Sequence, residues 1–219
     1  MRGTTRMLAR RQDELAAGAQ HLGWKVGFGS PAGMAALGID RPLVGFLTSD
    51  RLLTSGATVS LAGWTRPLFE AEVVVRLGDD IGPDATAGDA LAAVDGWATA
   101  IELADLDRAP DDIEAVLAGN VYHRHVLLGE LGPQRPGPAF TVRRNGVEVT
   151  GTSEPEELTG ELGWVLATTA STVAAAGGAL LAGDVVITGS VVPPVPVAAG
   201  EAWHVSVPGR SGVEVHLTA

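Results

Sequence analysis

The chain has 219 residues, 46% of them hydrophobic, which fits one compact domain with a substantial core. A formal net charge of −11 and a pI near 4.8 argue against nucleic acid and acidic membrane surfaces as partners, because proteins that bind them carry a basic face. Cysteine is absent, which excludes disulfides, thiolate metal sites and a cysteine nucleophile, and suits a cytoplasmic protein.

Arg2, Arg6, Arg10 and Arg11 are not followed by an apolar run, so the N-terminus does not read as a secretory signal. Apolar spacing predicts a helix over residues 7–20 with Gly23 as its stop, then a strand at 24–28. Ser30-Pro31 should open a helix at 32–37 that closes at Gly38, and strands follow at 44–47 and 57–61. Residues 69–77 alternate cleanly: Phe69, Ala71, Val73, Val75 and Leu77 on one face, Glu70, Glu72, Val74 and Arg76 on the other. A helix at 89–94, a strand at 99–104, a helix at 110–117 and a brief strand at 126–128 come next. Asn145-Gly146 between two β-type runs predicts a type I′ hairpin, since both positions accept positive φ. Residues 158–176 should form the longest helix, ending at Gly177-Gly178. The run 162–181 carries three threonines, a serine and three glycines and reads as a buried helix rather than a membrane span. Strands at 184–188, 202–207 and 213–217 complete the chain, with Pro193, Pro194 and Pro196 in a rigid connector. Strands outnumber helices without regular βα alternation, so the fold class is α+β with a mixed β core. The expected organisation is a short N-terminal helical segment, residues 1–22, and a single catalytic domain, residues 23–219.

Glu70 and Glu72 project from the same strand face, where two carboxylates repel unless one takes up a proton or a cation joins them. Glu102, flanked by apolar residues in the next strand-like segment, could complete an oxygen-only site suited to Mg²⁺ or Mn²⁺. From the Glu-x-Glu pair alone, an ordinary solvated strand face remains the alternative.

The pair stands in a longer series of motifs. Gly23-Trp24-Lys25-Val26-Gly27, Leu37-Gly38-Ile39-Asp40, Gly45-Phe46-Leu47, Phe69-Glu70-Ala71-Glu72-Val73, Ala100-Ile101-Glu102, Asn120 and Gly183-Asp184-Val185-Val186-Ile187-Thr188-Gly189-Ser190 follow one another in order. That order resembles the fumarylacetoacetate hydrolase superfamily, in the branch of 2-oxopent-4-enoate hydratases and 4-oxalocrotonate decarboxylases, over nearly the whole chain. The resemblance implies a mixed β-sandwich roll with a few flanking helices, assembled as a homodimer or larger homo-oligomer. It implies Glu70, Glu72 and Glu102 as metal ligands and Lys25 as the active-site lysine. Thr188, Gly189 and Ser190, with Asn120, are expected at the substrate. The implied activity is that of a divalent-metal-dependent lyase, a hydratase of a 2-hydroxy-2,4-dienoate or 2-oxo-4-enoate. Decarboxylation of a 2-oxo acid, acylpyruvate-type C–C hydrolysis and a non-catalytic metal-binding role stand as alternatives.

Chemistry agrees with this assignment, because a 2-oxo acid chelates a cation through its carboxylate and 2-oxo oxygens. A buried Lys25 is expected to have a lowered pKa. Three features depart from the family pattern. The positions before Gly45 are apolar, Leu43-Val44, where hydratases often carry an acid and decarboxylases fit better. Residues 121–125 are bulkier and more basic than usual, so that His123 and His125 would share a face if extended, with His123 a candidate for binding a substrate carboxylate. Only 24 residues precede Lys25, fewer than in full-length relatives. Arg66 reads equally as a carboxylate clamp or a surface residue. There is no Gly-x-Ser-x-Gly nucleophile turn, and Gly27-x-Gly29 lacks the third glycine of a dinucleotide fingerprint.

Overall fold

The computed structural model describes residues 2–219. In chain order the elements are α1 (Arg2–Ala16), β1 (His21–Gly27), α2 (Pro31–Leu37), β2 (Leu43–Thr48), β3 (Leu52–Leu53), β4 (Ala57–Ser60), β5 (Pro67–Leu77), α3 (Ala87–Ala92), β6 (Val94–Asp105) and α4 (Ile113–Ala118). They continue with β7 (His123–Leu128), β8 (Phe140–Arg144), β9 (Val147–Thr152), α5 (Glu156–Thr159), α6 (Leu162–Ala175), β10 (Val185–Ser190), β11 (Val195–Pro196), β12 (Ala202–Ser206) and β13 (Val213–Thr218). Among the described residues the strands form two sheets. The larger runs β2-β1-β10-β5-β6-β7-β3, with β11 also on β5, and the smaller runs β4-β13-β12-β8-β9.

The alternation along β5 settles both of its faces. Phe69, Ala71, Val73, Val75 and Leu77 enter the main core, which the two sheets and α6 share. There Phe69 stacks on Trp203 of the smaller sheet at 5.0 Å between ring centroids. Each large side chain so buried contributes about 1.5–3 kcal/mol. The opposite face of β5 joins a second apolar cluster through Val74, Ala98, Ala100, Val126 and Ile187, and this is the face that carries Glu70 and Glu72.

Ser30 caps α2 by accepting from Gly33 N, and Gly38 closes it at φ 63°, as the sequence predicts. Asn145 and Gly146 take φ values of 51° and 78°, as the predicted hairpin requires. Other expectations need correction. α1 starts earlier than predicted and ends before Gly18 (φ 109°), while Gly23 stops no helix. Gly23 instead lies inside β1 at φ 152°, where a Cβ would collide with the Val185 backbone. The long helix predicted over residues 158–176 is broken at Gly160 (φ 84°) into α5 and α6, leaving α1, with 15 residues, longer than α6, with 14. Among the described residues no helix is long and apolar enough to cross a membrane.

Candidate metal centre and substrate cleft

Five neighbouring strands of the larger sheet bring the chemistry together: β1 supplies Lys25, β10 Gly189 and Ser190, β5 Glu70 and Glu72, β6 Glu102 and β7 His123. Glu70 stands directly opposite Glu102 in the β5–β6 ladder, and Glu72 opposite Ala100. Cross-strand neighbours of like charge destabilise a sheet unless something neutralises them. One oxygen from each of Glu70, Glu72 and Glu102 lies within 4.8 Å of the others.

The individual oxygens show how the cluster is arranged. Glu102 Oε1 accepts from Lys25 Nζ at 2.6 Å and from His123 Nδ1 at 2.7 Å. Glu72 Oε2 accepts from the Gly189 amide at 2.8 Å. The β10–β5 register shifts between Ile187 and Ser190, and this irregularity, with Gly189 at φ 103°, turns that amide towards Glu72. The remaining oxygens, Glu72 Oε1 and Glu102 Oε2, are buried and have no partner among the described residues. Orphaned buried carboxylate oxygens are costly, and three hard oxygen donors match the chemistry of Mg²⁺ or Mn²⁺. The residues therefore fit a divalent cation.

Electrostatics point the same way. Burial, then the charges of Glu102 and Glu70, push Glu72 well above the usual carboxylate range. Burial and Glu102 raise Glu70 to about 7. Burial also opposes the charge on Glu102, but Lys25 and His123 outweigh it and hold this group at about 2. For Lys25 the expected lowering is overturned. Burial does disfavour the ammonium, yet Glu102, Glu70 and Glu72 together outweigh it and raise its pKa above the ordinary value.

Lys25 is held from a second side by the Val121 carbonyl at 3.0 Å. That carbonyl lies in a strained segment in which Asn120, Val121 and Tyr122 have φ values of 59°, 51° and 66°. A β-branched residue in this region is a genuine outlier that costs about 1–3 kcal/mol and persists only where its surroundings impose it. Asn120 does so by accepting from Phe46 N at 2.8 Å and donating to Phe46 O at 2.9 Å.

A cleft of about 370 Å³ opens beside the acids. Lys25, Glu70, Gly189 and Ser190 are on its polar side, while Phe28, Leu68, Leu106 and Tyr122 form an apolar wall. Not every expected substrate contact lines it. Thr188 is buried and donates to Val73 O, and Asn120 is committed to Phe46. His123 is enclosed behind Glu102, so its placement corrects the expectation that it meets a substrate carboxylate directly. Arg66 is exposed, with Nε on Leu106 O, and does not line the cleft. His123 and His125 also find different partners, because the β6–β7 register shifts opposite them; His125 stacks on Trp64. The sequence reading missed the Gly189 amide, the Val121 carbonyl and the Phe28–Tyr122 wall. A bulky Val121-Tyr122 directly after the Asn120 motif was the available signal for the last two.

The fumarylacetoacetate (FAA) hydrolase C-terminal family matches residues 27–217. The chain is 30% identical over 217 residues to a 2-hydroxyhexa-2,4-dienoate hydratase of Comamonas testosteroni, covering 93% of this chain and 80% of that protein. It is 29% identical over 219 residues to a 4-oxalocrotonate decarboxylase of Pseudomonas putida, covering 96% and 81%. A solved 4-oxalocrotonate decarboxylase from Pseudomonas putida G7, complexed with magnesium and adipate, superposes with a TM-score of 0.86 at 25% identity, covering 96% of this chain and 83% of that one. The same enzyme complexed with calcium and acetate gives 0.88 at 26% identity, with the same coverage.

Proposed function

The chain belongs to the fumarylacetoacetate hydrolase family, and from that premise we propose that it is a divalent-metal-dependent lyase acting on a small 2-oxo acid, a hydratase of a 2-hydroxy-2,4-dienoate or 2-oxo-4-enoate. The observation that carries this reading is the group formed by Glu70, Glu72 and Glu102, with two orphaned buried oxygens beside a cleft of small-molecule size. These three residues would hold Mg²⁺ or Mn²⁺. Such a cation would supply Lewis acidity towards a 2-oxo acid, offsetting negative charge that develops on it.

The remaining residues position and exchange protons. Lys25, charged and fixed by Glu102 and Val121, presents its ammonium at the cleft and holds or delivers a proton at Nζ. Gly189 orients Glu72 through its amide. Ser190 Oγ donates to Val192 O at 2.6 Å, which fixes the hydroxyl at the cleft and leaves its lone pairs for a substrate donor. His123, which does not line the cleft, fixes Glu102 through Oε1. The working unit is the single catalytic domain of residues 23–219, preceded by a short N-terminal segment that carries α1 (Arg2–Ala16). The enzyme acts in the cytoplasm, in aromatic catabolism, as a homodimer or larger homo-oligomer.

One observation favours a second reading, decarboxylation of a vinylogous 2-oxo diacid. Leu43 and Val44, where hydratases often carry an acid, are both buried in apolar clusters and offer no proton relay. The two readings separate in an assay of the purified protein with Mg²⁺, 2-hydroxypenta-2,4-dienoate and 4-oxalocrotonate, following substrate loss and dissolved CO₂. Consumption of the dienoate without CO₂ supports hydration. CO₂ from the diacid alone supports decarboxylation, and turnover of neither refutes both.

A further inference from the structure

The geometry points to a substrate whose far end is an uncharged hydrocarbon, so that the cleft selects 2-oxo monocarboxylates and rejects 2-oxo diacids. This rests on the reading above, in which the 2-oxo acid head sits at the glutamate cluster.

The apolar wall of the cleft carries this selectivity. Phe28, Leu68, Leu106, Val121 and Tyr122 line the cleft and belong to one contiguous apolar cluster with Leu43, Val116 and Leu117 behind them. Phe28 and Tyr122 face one another with ring centroids 6.3 Å apart. Lys25 is the one cation among the described residues that line the cleft, and it is already paired with Glu102 at 2.6 Å.

The cations behind this wall do not line the cleft: Arg66 lies outside it with Nε on Leu106 O, and two others are paired with carboxylates. Arg108 grips both oxygens of Asp107, at 2.7 and 2.6 Å, and donates to Ala115 O. Arg124 bridges Asp105 and Asp107 at 3.0 Å each. Two of the lining hydroxyls donate back to the protein, Tyr122 to Arg108 O and Thr159 to the Gly160 carbonyl, while the Ser30 oxygen accepts from Gly33 N in capping α2. A second carboxylate at this end would lose its water and find no unpaired cation in the cleft lining, whereas a methyl or vinyl terminus would gain apolar contact.

The test is calorimetric titration of the full-length chain, saturated with Mg²⁺, with 2-oxopentanoate and with 2-oxoglutarate, which share the 2-oxo acid head and differ in a terminal methyl against a carboxylate. The expected result is tighter binding of 2-oxopentanoate by a factor on the order of 100. Leu158→Arg adds a cation at a half-buried position that lines the cleft, and Leu68→Arg adds one within the wall; at least one of them should narrow that ratio about tenfold by strengthening 2-oxoglutarate. Equal or tighter binding of 2-oxoglutarate by the unaltered protein overturns the inference, as does a ratio that moves in neither folded variant. In both cases the metal-dependent reading of the head site survives. Failure of both acids to bind with Mg²⁺ present overturns that reading, and the inference with it.

Discussion

Lys25 Nζ and Glu102 Oε1 lie 2.6 Å apart at positions 2% and 0% exposed, a buried ion pair that links β1 to β6 across the two strands between them. Removing one member of such a pair leaves the other charge desolvated and unpaired. Lys25→Ala is therefore expected to destabilise the metal-free protein by about 3–5 kcal/mol. Denaturant midpoints at unchanged slope measure this. Mg²⁺ should still bind and turnover should be lost; retained turnover would remove Lys25 from the chemistry.

His123 shares the same oxygen of Glu102 and so dedicates Oε1 to the protein while Oε2 remains free. Residues that orient a metal ligand are worth about 10–100-fold in metal affinity. His123→Ala should weaken Mg²⁺ by that amount in a calorimetric titration. His123→Asn, which keeps a donor near Oε1, should recover part of the loss. Unchanged affinity in a folded His123→Ala protein would reduce His123 to a packing residue.

His125 carries the clearest pH signature away from the acids. Burial, with the nearby His123 and Arg51, pushes it down to about 4 from its ordinary 6.5. Between these values the unfolded chain binds the proton and the native protein does not, so this contribution to stability is complete above pH 6.5 and falls as pH drops towards 4. Melting temperatures at pH 7.5 and 4.5 should converge in His125→Gln relative to the unaltered protein. An identical pH dependence in the two would contradict this assignment.

Gly45 faces Lys25 across the β1–β2 ladder, and a Cβ there would come within 2.6 Å of Asn120 Oδ1 and 2.9 Å of Lys25 Cγ. Gly45→Ala should cost about 1–3 kcal/mol through overpacking. It should also lower kcat by displacing Lys25, while leaving Mg²⁺ affinity nearly intact. Full activity would show that Lys25 tolerates the shift.

How much of this was legible depends on what each feature requires. The β5 alternation, the Ser30 cap and the Asn145-Gly146 turn are local, and their residues announce them. Glu102 was legible as a buried acid from its apolar flanks. The break at Gly160 was not, because an isolated glycine in a helical run is tolerated as often as it ends one. The charge state of Lys25 was misread because burial alone was weighed, whereas three carboxylates converge on it from β5 and β6. His123 was a candidate for the substrate by residue type and Arg66 stood between a clamp and a surface residue; the register of β7 and the start of β5 direct both away from the cleft. The bulk of Val121-Tyr122 was visible, but the positive φ values from Asn120 to Tyr122 were not, because Asn120 is fixed by its bonds to Phe46, distant in the chain.

The central claim is that Glu70, Glu72 and Glu102 hold a divalent cation on which a 2-oxo acid is bound. Calorimetric titration of oxalate into the protein, with and without Mg²⁺, tests it most directly, using Glu72→Ala as the control. Saturable binding only when Mg²⁺ is present, abolished in Glu72→Ala, is the expected result. Oxalate binding that is indifferent to Mg²⁺, or that survives Glu72→Ala unchanged, would contradict it.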